Sequence, residues 1–126
     1  MDKKVLHPEL SYKIIGALFD VFNELGYSYR EIYYQKAIAK LFKQLNINFR
    51  EQVGMPLLFK GEMIGRAVCD FLVDDKIILE IKHGDRFSVQ DIKQLYTYLK
   101  AKNLKLGILA RFSSKGLKFK RVLNLY

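Results

Sequence analysis

The 126-residue chain reads as one α+β domain spanning residues 1–126, with a mixed central sheet and helices packed against it. Two observations predict this class. Apolar spacing switches from three- and four-residue steps to extended runs, in the order α-α-β-β-β-α-β-β. The extended runs in the middle are joined by turn-forming residues, so they pair as antiparallel hairpins. Composition permits a core without disulfides or a structural metal, since half of the residues are hydrophobic, with nine Phe and eight Tyr. A mixed α/β sandwich is the neighbouring alternative.

Residues 9–25 form the first predicted helix, with Leu10, Ile14, Leu18, Phe19, Phe22 and Leu25 on one face and Gly26 as the stop. Residues 29–45 form the second, with Tyr33, Tyr34, Ala37, Ile38, Leu41, Phe42 and Leu45 on its apolar side. Ser28 is its expected N-cap and Glu31 the capping-box partner. Residues 49–59 are extended, and Pro56 suggests a sheet edge or a bulge. Lys60-Gly61-Glu62 signals a hairpin turn into a strand over residues 63–73. A further strand covers 76–82, after Asp74-Asp75. A polar loop from His83 to Ser88 leads to a third helix over 89–102, with Ser88 as N-cap and Ile92, Leu95, Tyr96 and Leu99 inward. Strands over 104–112 and 117–125 close the chain, joined by a turn from Ser113 to Gly116.

Charge is distributed unevenly. Residues 1–91 are neutral, with 13 basic and 13 acidic side chains, whereas residues 92–126 carry nine basic side chains and no acid, which accounts for the net +9. Such a field attracts polyanions, nucleic acid foremost. A solubilising surface and an acidic lipid headgroup are the competing readings, the latter weakened because the cations fall partly on strand-like sequence. No run of about eighteen apolar residues exists for a membrane span. The charged start, Met1 to Lys4, is not followed by an apolar stretch and small-residue cleavage site, so no signal peptide is expected. One cysteine, Cys69, excludes an internal disulfide and a multi-cysteine zinc site, and a cytoplasmic location follows as the simplest expectation.

The chemistry concentrates between Cys69 and Lys82. Asp70, Glu80 and Lys82 interrupt otherwise apolar strands, and Glu80 and Lys82 share a face because they are two residues apart. Whether Asp70 joins them depends on the turn. A two-residue turn at Asp74-Asp75 pairs residue 70 with 79 and separates the carboxylates. A three-residue turn through Lys76 pairs 70 with 80 and brings them together, with Asp75 or Lys76 in the left-handed region. Two adjacent carboxylates require a neutralising cation, and oxygen donors favour Mg²⁺ or Mn²⁺. With Lys82 beside them, these are parts for metal-assisted hydrolysis of a phosphodiester.

Asp70 followed by Glu80-x-Lys82, after a helix bearing Glu31, resembles the PD-(D/E)XK nuclease superfamily, and more closely its GxxExxY branch. The resemblance covers almost the whole chain. Ser28-Tyr-Arg-Glu31-Ile-Tyr-Tyr34 is similar to the branch's name motif, with Ser28 in place of its first glycine. Cys69 stands where the superfamily name has proline. Gln94-Leu95-x-x-Tyr98-Leu99 is similar to the helix after the active-site hairpin. The resemblance implies a restriction-endonuclease-like αβββαβ core. It also implies Asp70, Glu80 and the Ile81 carbonyl as metal ligands, Lys82 for the nucleophilic water, Glu31 holding a water of the metal, and Gln94 orienting water or phosphate.

Around that set, Arg86 and Lys93 flank the expected site and can bind phosphate, and Lys118 and Lys120 form a basic strand face with Arg121 turned away. His83 follows the Glu-x-Lys strand but reads as ordinary surface, His7 lies outside the expected core, and Cys69 reads as buried packing. Tyrosines at helical spacing are core, with one or two free to stack on bases. The reading is a Mg²⁺- or Mn²⁺-dependent nuclease acting on nucleic acid, DNA before RNA. No Gly-rich phosphate loop makes it ATP-driven. A homodimer accords with cutting both strands of a duplex. The alternatives are a nucleic-acid-binding module that keeps the fold without catalysis, and a protein-interaction subunit whose basic strand meets an acidic partner.

Overall fold

A computed structural model describes residues 6–125 of the chain. The charged start at Met1 to Lys4 lies outside the described residues. The elements are α1 (Pro8–Leu25), α2 (Glu31–Gln44), β1 (Phe49–Phe59), β2 (Glu62–Val73), β3 (Ile77–His83), α3 (Val89–Lys102), β4 (Leu106–Ser113) and β5 (Gly116–Leu123). The strands form one sheet in the order β1-β2-β3-β4-β5. Only β3 and β4 run parallel, because the α3 crossover lies between them; the other neighbours are antiparallel hairpins. Pro56 lies on β1 at the sheet edge, where its missing N–H costs no ladder bond.

Two cores flank the sheet. On one face Ile14 and Leu18 of α1 and Ile38 and Phe42 of α2 bury Phe71, Leu79, Ile81, Ile108 and Phe112. On the other, Leu95, Tyr98 and Leu99 of α3 cover Met55, Leu72, Ile78 and Leu109. The alternation along β3 and β4 serves both layers, which is why these strands are apolar on both sides. Helix α3 approaches β4 so closely that a Cβ at Gly107 would lie 2.8 Å from Leu95.

The second helix differs from its expected start. It begins at Glu31, its N-cap is Arg30, and no side chain caps it. The chain from Gly26 to Arg30 is instead held by Tyr34, whose hydroxyl donates to the Gly26 carbonyl at 2.7 Å and accepts from the Tyr29 N–H at 3.2 Å. That tether replaces the Ser28 capping box. Tyr33 and Leu45, expected inward, are exposed, because the helix buries a narrower stripe centred on Tyr34, Ile38 and Phe42. Ser88 does cap α3, accepting from the Asp91 N–H at 3.0 Å.

Candidate active site

The β2–β3 register decides the site. Val73 pairs with Ile77 and Phe71 with Leu79, so three residues form the turn and residue 70 comes opposite 80. Asp74 and Asp75 take the left-handed backbone, with φ of 52° and 53°. Of the two expected candidates Asp75 takes the left-handed role, and Asp74 joins it. Aspartate tolerates this region better than lysine does.

At Asp70 the ladder gives way to side chains. The Asp70 N–H donates to Glu80 Oε1 at 2.7 Å, and the Ile81 N–H donates to Asp70 Oδ2 at 2.8 Å. Each carboxylate thus bonds the main chain beside the other. Strict alternation would put Cys69 and Leu72 on opposite faces, yet both pack in the α3-side core, so β2 shifts phase at Asp70. Cys69 is fully buried, and its thiol is pushed up to about 11 by burial, with the Glu80 charge adding to it. Ile81 buries its side chain in the α1–α2 core, leaving only its main chain to the site.

Glu80 is 5 % exposed. Burial first, then the charge of Asp70, raises its pKa to about 8, against the pull of the Asp70 N–H and Lys82. Asp70 is also raised by burial, opposed by the Ile81 N–H, Lys82, and the side-chain amides of Gln52 and Gln35. Gln52 reaches it from β1, where it takes φ of 50° opposite Asp70, in the gap of the ladder between the Glu51–Phe71 and Val53–Cys69 pairs. Its amide also donates to Gln35 of α2 at 3.1 Å. Glu31, one helical turn before Gln35, is exposed; its pKa is raised by burial, lowered by Lys82 and raised again by Asp70.

Lys82 lies on the Glu80 face, 3.8 Å from Asp91 Oδ1. The other Asp91 oxygen accepts from Arg111 Nη2 at 2.8 Å. Arg111 pairs with Lys82 across β3–β4 and with Lys118 across β4–β5, so three cations form a row. Arg111 is 6 % exposed and stacks over Phe87, with Lys120 above the same ring. The C-terminal cations are therefore not all a surface field: Arg111 is buried against Asp91, and Arg121 bonds the Ser11 hydroxyl of α1. Arg86 is exposed in the loop before α3, and Lys93 and Gln94 are exposed on α3. The His83 carbonyl accepts a long 3.5 Å bond from Arg111 Nη1, while its ring bonds the Tyr27 carbonyl and stacks on Tyr34, tying β3 to the α1–α2 connection.

The donor set suits a hard divalent cation. Its carboxyls offer oxygen only, and both are held above their ordinary values chiefly by burial, a cost that a bound cation would offset. Among the described residues no three His, Cys, Asp or Glu side chains converge on one point. The side chains that could hold such a cation are therefore the Asp70–Glu80 pair.

Sequence reasoning missed Gln35, Gln52, Asp91 and the burial of Arg111. Gln35 was signalled by its four-residue spacing from Glu31. Arg111 was signalled by a charge inside an apolar strand, as Glu80 was. Gln52 left no signal, because its place opposite Asp70 follows from the β1–β2 pairing and not from residue spacing.

A mixed sheet between two helical layers, with a carboxylate pair and a lysine at the splayed end of a central hairpin, defines a restriction-endonuclease-like fold. A family model for the PD-(D/E)XK nuclease superfamily matches residues 8–122, and the chain belongs to that superfamily. Among solved structures it is similar to the protein crystallised as SSO0001, with 16 % identity and a TM-score of 0.60 over 94 % of this chain and 57 % of that one. It is also similar to an alkaline exonuclease, LHK-Exo, from Laribacter hongkongensis, with 16 % identity and a TM-score of 0.51 over 68 % of this chain and 52 % of that one. The chain spans a little over half the length of each, and at this identity the likeness is one of fold. A search of the curated proteins found no match. No helix among the described residues is long and apolar enough to cross a membrane.

Proposed function

We propose that this chain is a metal-dependent nuclease of the GxxExxY branch that hydrolyses phosphodiester bonds of DNA, with RNA as the second polymer its chemistry admits. The observation that carries the reading is the reciprocal bonding of Asp70 and Glu80. The buried Glu80 carboxylate accepts from the Asp70 N–H at 2.7 Å and the half-buried Asp70 carboxylate accepts from the Ile81 N–H at 2.8 Å, with Lys82 on the Glu80 face. Fixing two like charges in this way costs stability unless a cation joins them.

Asp70, Glu80 and the Ile81 carbonyl would hold Mg²⁺ or Mn²⁺, and Glu31 would anchor a water from the helix side. When bound, the ion supplies a lowered water pKa and stabilises charge on the phosphate. Lys82 donates to the attacking water and orients it, while Asp91 fixes the lysine from behind. Gln94 orients water or phosphate from α3. Arg86, Lys93, Lys118 and Lys120 contact backbone phosphates, which gives affinity with little sequence preference. A duplex would need two copies of the chain for both strands, whereas a single strand needs one. A cytoplasmic location fits the lone buried thiol.

The test is incubation of the protein with labelled single- and double-stranded DNA and RNA in Mn²⁺, Mg²⁺ or chelator, beside Asp70→Ala and Lys82→Ala. We expect metal-dependent cleavage that falls at least about a hundredfold in both variants. Cleavage that survives both substitutions places the chemistry elsewhere. No cleavage, with binding indifferent to chelator, makes the chain a binding module.

A further inference from the structure

Two glutamine amides lie beside Asp70. One comes from the edge strand. Gln52 stands opposite Asp70 where the β1–β2 ladder is interrupted, and its backbone is left-handed, with φ of 50°. Glutamine is an uncommon residue in that region, which glycine and asparagine enter more easily. A strained position kept by a residue with a long polar side chain points to a use for that side chain.

The other amide comes from a different layer. Gln35 follows Glu31 by one turn of α2, so the two share a face of the helix. Gln52 Nε2 donates to Gln35 Oε1 at 3.1 Å. That bond orients both amides. With its carbonyl oxygen turned to Gln52, Gln35 turns its N–H groups the other way, and Gln52 keeps a second N–H of its own. Asp70 is the acceptor within reach. Burial raises its pKa most, and both amides oppose that by hydrogen bonding, after the Ile81 N–H and Lys82. The Ile81 N–H holds Asp70 Oδ2 at 2.8 Å. Donors from β1, α2 and β3 thus converge on one carboxylate. The two acids differ in their need for this. Glu80 is buried and fixed by packing, whereas Asp70 is half-buried and depends on its bonds to keep one orientation.

We infer that Gln35 and Gln52 are positioning residues for a divalent cation: linked to each other, they hold the Asp70 carboxylate in the orientation that shares the ion with Glu80. The inference rests on the reading of Asp70 and Glu80 as the ligands of a nuclease metal. A carboxylate aimed by outer amides loses less freedom when the ion binds, and such outer partners typically change metal affinity by about tenfold or more. The same bond ties the edge strand to the α2 face that carries Glu31. An ordinary surface pair has no reason to carry strained backbone, and its loss would leave metal affinity untouched.

The test is Mn²⁺ titration of the full chain, read by calorimetry and by the thermal midpoint, for wild type, Gln52→Asn, Gln35→Met and the double variant. Each substitution spares the fold. Asparagine takes the left-handed region more readily than glutamine but is one methylene too short to keep the bond. Methionine preserves length and helix propensity without a donor. In chelator the thermal midpoints should therefore stay within about 3 °C of wild type. Each single variant should bind Mn²⁺ about tenfold more weakly, and the double variant no more weakly than either, because each amide needs the other. Unchanged Mn²⁺ affinity in either single variant overturns the inference, and losses that add in the double variant overturn the linked pair. A chelator midpoint that falls in step with the lost affinity assigns the glutamines to folding instead. Cleavage of a labelled oligonucleotide by wild type in Mn²⁺, read in parallel, separates the two ideas. Cleavage with Mn²⁺ affinity indifferent to the glutamines overturns the positioning role alone, and glutamine-dependent Mn²⁺ binding without cleavage overturns the catalytic reading alone. A wild type that binds no Mn²⁺ overturns both.

Discussion

Arg111 is buried where a residue of its type needs a partner, and Asp91 is that partner. The guanidinium makes one 2.8 Å contact to Asp91 and a long 3.5 Å contact to the His83 carbonyl, and its Nε has no partner. Removing the acid therefore strands a buried cation. Asp91→Ala should cost about 3 kcal/mol of folding stability, while Arg111→Met, which leaves no charge behind, should cost clearly less. Urea unfolding of both variants checks the order; equal losses would show that packing over Phe87, not charge, holds Arg111 in place. The same residue shows how far a sequence can be read at this scale. Glu80 and Lys82 were legible because charges inside an apolar strand need a reason, and that logic extends to Arg111. Gln52 was not legible, since its left-handed backbone and its place opposite Asp70 leave no mark in residue spacing.

Serines at two helix starts illustrate what can be read of an element. Ser88 precedes α3 and caps it, and Ser28 precedes α2 without capping it. Both look alike in sequence, as short polar residues before an apolar stripe. The difference is tertiary: Tyr34 reaches back to Gly26 and Tyr29, which sets the path into α2 and makes a serine cap redundant. Ser88→Ala should therefore destabilise the protein by about 1 kcal/mol, whereas Ser28→Ala should change it by less than about 0.5 kcal/mol. Thermal or urea unfolding of the two single variants reads this directly, and a comparable loss at Ser28 would restore the capping box. The β2–β3 hairpin was legible as an element but not in register. Two turn lengths were open, and they differ in whether Asp70 meets Glu80. The observed three-residue turn settles that through backbone conformation at Asp74 and Asp75, which residue identity permits but does not dictate.

Across the whole molecule, the charged site and the core act on one another through protonation. The order of strands and helices was legible because each hairpin and the single crossover follow from local pattern, and the two apolar faces of β3 and β4 follow from burial on both sides. What local pattern could not give is the depth of the carboxylate pair, which depends on three layers closing around it. That depth sets a linkage. Glu80 ionises near 4.5 when unfolded and at about 8 when folded, chiefly through burial. Below the lower value both states hold the proton, and the buried acid imposes no pH-dependent cost. Between the two values the unfolded chain has lost its proton while the folded chain keeps it, so stability falls as pH rises and levels off above about 8. A divalent cation must displace that proton to bind. Its apparent affinity should rise up to about tenfold per pH unit below the folded value and flatten above it. Mn²⁺ titrations at pH 6, 7, 8 and 9, with the thermal midpoint as a second readout, should show a metal-induced stabilisation that grows with pH. In Glu80→Gln the slope should vanish along with most of the binding. A pH-independent Mn²⁺ affinity in the wild type would place the cation away from Glu80, and with it the chemistry assigned to this end of the sheet.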